Sequence, residues 1–227
     1  MTRPVVCSFP TASTTAICSA QTTAGAGALT IDGSLLDTAS LTQGVRRAWL
    51  SPTNYSFQRT VSLTSAGNAS GVTFTIVGQD CYGRTVSESI AGPNTTTVYT
   101  TNFFALVTSV TVGGALAQAT SIGTGTTGSS LPFRTNYFNA PTGMALYGEA
   151  TATISWTVQD TPDDIEALMA VSTNAQSVIT WINHPTLAAQ TGTASSNYAF
   201  PARWVRVLIN SSSGSGALVF TIVPAGK

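Results

Sequence analysis

Ala150-Thr151-Ala152-Thr153-Ile154-Ser155-Trp156-Thr157-Val158-Gln159 alternates between apolar and polar at every step. Side chains of a strand point to opposite faces in turn, so a period of two predicts a β-strand with one buried and one wet face. Ala150, Ala152, Ile154, Trp156 and Val158 form the buried face, and hydroxyls with one amide, not charges, form the other. On either side of this strand the string Phe-Thr-Ile-Val occurs, at Phe74–Val77 and again at Phe220–Val223, about 145 residues apart. Each copy follows a small Gly/Ser-rich stretch, Gly67-Asn-Ala-Ser-Gly71 in one case and Ser213-Gly-Ser-Gly216 in the other. Glycine-turned hairpins are the reading these stretches favour. The first would pair Val61 and Leu63 with Val72, Phe74 and Ile76. The second would pair Val205, Val207 and Ile209 with Leu218, Phe220 and Ile222.

The expected fold class is therefore all-β: two tandem β-sandwich-like domains, an extended N-terminal arm and one short helix in the second domain. Residues 1–45 are small, polar and aperiodic and read as the arm, with Leu29, Ile31, Leu35, Leu36 and Leu41 free to dock. Residues 46–123 form the first module, whose short strands recur at sandwich spacing, with a turn at Asp80-Cys-Tyr-Gly83 and a break at Gly92-Pro93-Asn94. Residues 124–141, rich in Gly, Ser and Pro, read as a linker that Phe133, Tyr137 and Phe138 pin down. Residues 142–227 form the second module. Its helix is announced by Thr161-Pro162-Asp163-Asp164-Ile165-Glu166, with Thr161 as N-cap, Pro162 at the first helical position and acids where the helix dipole favours them.

Only 8% of the residues are charged, about a third of the usual fraction, and nine basic residues cancel nine acidic ones. The only lysine is Lys227. So little charge favours association and excludes direct binding to nucleic acid, which needs clustered Lys and Arg. No apolar run approaches the roughly 20 residues that span a bilayer, and Pro10 interrupts any signal-like start, so no targeting segment is expected. Cys7, Cys18 and Cys81 have no metal-like spacing. They leave open a Cys7–Cys18 bridge or free buried thiols in a reducing compartment. Sequons at Asn54, Asn68, Asn94 and Asn210 are expected by chance in so Thr/Ser-rich a chain and carry no weight.

Four motifs could carry chemistry. Gly123-Thr-Gly125-Thr-Thr-Gly128 matches the dinucleotide-binding pattern with Glu149 21 residues on, but no helix opens there to face a pyrophosphate. Asp160, Asp163, Asp164 and Glu166 lack the ligand spacing of a calcium loop, and the helix start accounts for them. His184 is the only histidine and has no nucleophile elbow beside it. Its setting, Trp181-Ile-Asn-His184-Pro185, reads as a strand ending in a turn, with the imidazole packed on Trp and bonded to backbone. Tyr198, Phe200 and Trp204 could form a sugar platform, but cover for the core or a subunit contact fits them better. No catalytic, cofactor-binding or metal residues, and no cofactor, are therefore expected.

Thr64-Ser-Ala-Gly-Asn-Ala-Ser-Gly-Val-Thr-Phe-Thr-Ile-Val-Gly-Gln-Asp80, continued by Gly83, Val86-Ser-Glu88-Ser-Ile90 and Gly92-Pro-Asn94, resembles a β-module common in structural proteins of tailed bacteriophages. Cys81-Tyr82 and Ser87 depart from that pattern, in the turn and not in the strand register. Tyr147-Gly-Glu149 through His184 to Asn197-Tyr-Ala-Phe-Pro201 and the closing strands resemble another phage virion segment often found beside it. The resemblance implies a virion part, assembled in the bacterial host cytoplasm, and transfers no catalytic residues. Size, neutrality, tandem modules and a reaching arm suit a capsid decoration or cement protein. A neck or tail component and a carbohydrate-binding adhesive module of a host-recognition fibre are the alternatives. The expected partners are the major capsid protein or neck and tail proteins, with self-association as a trimer or local cluster, and without membrane or nucleic acid.

Overall fold

The computed structural model describes residues 5–50, 57–135, 144–171, 175–200 and 202–224. The fold is all-β, as expected, and one α-helix, Ile165–Val171, interrupts the strands among the described residues. Two compact units divide the chain. One is Ala12–Gly125; the other is built from the residues after Gly125 together with the N-terminal strand.

The unit Ala12–Gly125 has two sheets. In one, β2 (Cys18–Thr23), β10 (Leu116–Ser130), β5 (Phe57–Ser65) and β8 (Thr97–Tyr99) follow one another. In the other the order is β3 (Gly27–Ala28), β9 (Leu106–Val112), β6 (Thr73–Gln79) and β7 (Thr85–Ala91), with β4 (Ala48–Trp49) also paired to β9. Alternation in β6 buries Phe74 and Ile76, which join Val61, Leu63, Phe104, Val110 and Ile122 in one apolar core. The β6–β7 hairpin closes at the expected turn. There Asp80 Oδ1 accepts the amides of Tyr82 and Arg84 at 2.8 and 3.0 Å, and Gly83 takes the left-handed φ of 75° that favours glycine.

Three expectations fail in this unit. The proposed hairpin of Val61 and Leu63 with Phe74 and Ile76 does not form, because β5 and β6 lie in different sheets. The Gly67–Gly71 stretch carries the chain from one sheet to the other. Much of the expected arm is part of the sandwich: Ile17, Cys18, Leu29 and Ile31 are core residues. Backbone bonds hold them there, from Ile17 to the Ile122 carbonyl at 3.0 Å and from Leu29 to that of Val110 at 2.8 Å. The expected linker is, as far as Ser130, the second half of β10. Its glycines serve close approach, not flexibility. A Cβ on Gly123 would lie 1.9 Å from the Ser13 carbonyl oxygen, and one on Gly125 would lie 2.0 Å from Thr60 Oγ1. After β11 (Phe133–Arg134), the remainder of that expected linker falls outside the described residues.

The second unit centres on two long antiparallel strands, β12 (Met144–Thr161) and β15 (Trp204–Pro224), paired from Met144↔Pro224 to Thr161↔Trp204. The other edge of β15 takes β1 (Val5–Phe9), the end of β10 and β11 in turn. The other edge of β12 takes β14 (Ala194–Tyr198) and β13 (Ile182–Asn183). The predicted terminal hairpin is therefore replaced by one continuous strand, and Ser213–Gly216 is a bulge within it. Between Thr151↔Ala217 and Thr153↔Ser213, four steps on β15 face two on β12.

Ile154, Trp156 and Val158 are buried as the alternation predicts. The face expected to be wet is so only in part: Thr153 is exposed and Ser155 half-buried. Thr157 and Gln159 are buried, because the chain from His184 to Gln190 runs along the free edge of β12. Trp156 and Gln190 exchange backbone bonds of 2.8 Å, and Val158 donates to Leu187 O at 2.8 Å. Ahead of the helix, Asp164 and not Thr161 is the cap. Its carboxylate accepts the Ala167 amide at 3.2 Å, while Thr161 Oγ1 accepts that of Asp163 at 3.1 Å, forming a separate turn.

Candidate functional site

His184 is 2% exposed and is the centre of a polar cluster in the second unit. Its Nδ1 accepts the amides of Thr186 at 3.2 Å and Leu187 at 3.1 Å, so the ring proton sits on Nε2 and is donated to the Asn197 carbonyl at 3.2 Å. The imidazole meets the ring of Tyr198 edge-on, with centroids 4.7 Å apart. The Tyr198 hydroxyl donates to Asp160 Oδ1 at 2.9 Å, and burial, then the Asp160 charge, pushes its pKa well above the ordinary tyrosine value. Histidine, tyrosine and aspartate are thus brought together, yet both imidazole nitrogens are committed to backbone, Nδ1 to the loop that follows and Nε2 to β14. Backbone bonding was legible in the sequence; the ring partner is Tyr198, not Trp181. Trp181 instead lies under the Arg206 guanidinium, 4.0 Å from its carbon to the ring centroid.

The four acidic residues do not converge. Asp163 accepts the Thr180 amide at 2.7 Å, Asp164 pairs with Arg203 at 2.5 Å, and Glu166 reaches Arg134 at 3.5 Å. The Ala167 amide, then Arg203 and the Glu166 amide, hold the Asp164 carboxyl below the usual range against the opposing effect of burial. Among the described residues no three His, Cys, Asp or Glu side chains gather as metal ligands. Gly123–Gly128 lies inside β10 with no helix after it. The three aromatics split: Tyr198 and Trp204 are buried and only Phe200 is open, at 49%, so they present no shared platform. Cys18 and Cys81 are free buried thiols, so Cys18 is not in a bridge, and burial, then Asp32, pushes the Cys18 thiol up to about 12. The Cys7 side chain lies outside the described residues.

One feature escaped the sequence altogether. A second bulge follows the first, with Ser155 opposite Ser211 and Trp156 opposite Ile209, so β15 departs from regular pairing twice within a few residues. Between the bulges opens a cleft of about 380 Å³, lined by residues 153–155 of β12, 211–213 of β15, Thr126 and Thr191. Every lining residue but Ile154 carries a hydroxyl, and none is ionisable. Asn210, in the second bulge, donates from Nδ2 to Ser155 Oγ at 3.3 Å and Thr157 Oγ1 at 2.9 Å. Nothing in the repeated Ser-rich run marks a cavity before the register of β12 and β15 is known.

No family model and no curated protein matches the chain. Among solved structures it is similar to the major capsid protein P2 from Bacteriophage PM2, at 8% identity and a TM-score of 0.18, aligned over 99% of this chain and 98% of that one. This is a faint likeness to a phage structural protein, and superposition that poor carries no argument about function. No helix among the described residues is long and apolar enough to cross a membrane.

Proposed function

We propose that this chain is a structural component of a tailed-phage particle, placed on the head as a decoration or cement protein, and that it performs no chemistry. The observation that carries this reading is the outward face of β14, β12 and β15. Tyr147 and Val223 are 47% and 38% exposed there, and the register sets them beside Ser195, Asn197 and Thr221. Glu149 is the charge that borders this patch. Uncharged hydroxyl and apolar surface associates without the cost of stripping water from ions. The phage-like pattern over residues 64–94 supports the same reading, as does the commitment of His184 to backbone amides.

The test is to locate the chain in intact particles by electron microscopy and to heat particles assembled with and without it. Stoichiometric density on the head shell, with earlier rupture of shells lacking the chain, is the expected result. Density confined to the neck or tail would replace the decoration role with the alternative one. Absence from purified particles would overturn the structural reading. A hydrolytic activity abolished by His184→Ala would overturn the non-catalytic part.

A further inference from the structure

We propose that the cleft between the two β15 bulges is a binding site for a neutral saccharide. Its volume, about 380 Å³, falls toward the small end of the roughly 300–1,000 Å³ that small-molecule sites occupy. The lining chemistry selects the ligand class by exclusion. An anion needs Arg, Lys or a nest of amides, a bound cation needs carboxylates, and this lining supplies neither kind of charge. A wholly apolar ligand would return no hydrogen bond to the hydroxyls, while the carbon atoms between them, most of the open lining, suit the C–H groups of a polyol. A polyol answers each hydroxyl in kind, because both sides donate and accept.

The hydroxyls are not all spent within the protein. Those of Thr126, Thr191 and Ser211 have no protein partner among the described residues. Ser155 accepts from Asn210 and keeps its own proton to donate. Thr153 and Ser213 are bonded to each other at 2.6 Å, and Thr153 also donates to the Ser213 carbonyl, which fixes that wall. Ile154 is only 1% exposed, so the apolar surface that suits the C–H face of a pyranose comes from the methyls and methylenes of the lining threonines and serines. Most of these groups stand on paired strands, and the bulges turn them out of the regular ladder toward one space, so little ordering is left for the ligand to impose.

The experiment uses the full chain and saturation-transfer NMR against maltohexaose, cellohexaose, mannohexaose and xylohexaose, with hexagalacturonate as the anionic control. Saturation of at least one neutral sugar at millimolar concentration, stronger than that of hexagalacturonate, is expected. The Thr126→Val/Thr191→Val protein keeps strand-favouring side chains and should weaken that binding about tenfold or more with its melting curve unchanged. Ser211→Trp, which fills the cleft from an exposed position, should abolish it. No transfer to any neutral sugar overturns the proposal, as does binding that survives both variants or preference for hexagalacturonate. Failure here leaves incorporation into particles untouched, and failure of incorporation leaves sugar binding untouched, so the two readings fall separately.

Discussion

At Phe74–Val77 the string Phe-Thr-Ile-Val lies within a seven-residue strand paired to β7 on one edge and β9 on the other; at Phe220–Val223 it lies near the end of a 21-residue strand flanked by β12 and β1. Both phenylalanines are fully buried. Opposite Phe74 stand Ile90 and Val112, whereas opposite Phe220 stand Gly148 and Val5. Ile76 is 0% exposed, while Ile222 is only half-buried and Val223 is open. Four residues set the extended backbone and the phase of the alternation. What faces them is set by partners remote in sequence, and so is the topology.

The largest test separates the partners that the N-terminal segment gives to each copy. Truncation through residue 31 removes Ile17, Cys18, Leu29 and Ile31 from the core around Phe74. Each buried aliphatic among them is worth about 1.5–3 kcal/mol, and a whole domain about 5–15, so the Ala12–Gly125 unit should lose its cooperative melt. Truncation through residue 9 removes only β1 and should leave that unit's melt unchanged while amide exchange accelerates along 216–220. Full exchange protection of β6 after the longer cut would break the distinction between the two copies.

Next in size is the pair Phe74→Ala and Phe220→Ala, each expected to cost about 3–5 kcal/mol in urea melts. Their local effects should differ. The first should loosen β7 and β9, and the second β12 around Gly148. A cost below about 1 kcal/mol for Phe220→Ala would mean that the second copy has no closed core behind it.

Gly148→Ala sharpens the same point. Its added Cβ would fall 2.3 Å from the Trp156 ring, which fills the space that the missing side chain leaves. Trp156 is fully buried and donates from its indole to the Gly192 carbonyl at 3.1 Å, so it has little room to yield. Overpacking of this kind costs about 1–3 kcal/mol. A neutral result in calorimetry would show that the ring shifts freely.

What could be read from the sequence was local. Alternation placed Phe74, Ile76, Ile154, Trp156 and Val158 inside, and Asp80 with Gly83 marked a real turn. Glycine-rich stretches misled, because a glycine that admits a turn also admits a bulge or a neighbouring backbone. Ser213–Gly216 proved to be the first kind and Gly123 with Gly125 the second. The arm looked unpartnered because β10 and β9, which receive it, lie some 80 to 100 residues further on. Thr157 and Gln159 looked solvated because the loop that covers them is anchored by His184, whose two amide acceptances no spacing rule reveals. The hydroxyl-lined cleft depends on two register slips and was invisible for the same reason.

The smallest effect concerns how the first copy ends. Its strand runs into Asp80, which is 1% exposed, whereas residues 217–224 around the second copy contain no ionisable side chain. Burial raises the Asp80 carboxyl above its ordinary value, opposed by the amides of Arg84 and Tyr82 and by the Arg84 charge. A carboxyl whose folded pKa is raised favours the fold when protonated. That contribution is fully present below the unfolded value of about 3.9 and is lost as pH rises through the folded one. Both amides bond the same oxygen, Oδ1, so Asp80→Asn retains the turn with a carbonyl acceptor and removes the titration. Urea midpoints of the Asp80→Asn protein should fall less, relative to the parent chain, as pH climbs out of the acid range, with no loss of stability at neutral pH. Exchange protection of β15 should be the same in both proteins. If Asp80→Asn instead destabilises at neutral pH and its pH profile parallels that of the parent chain, the ionised carboxylate itself holds the turn, and the first copy owes its sharp end to charge.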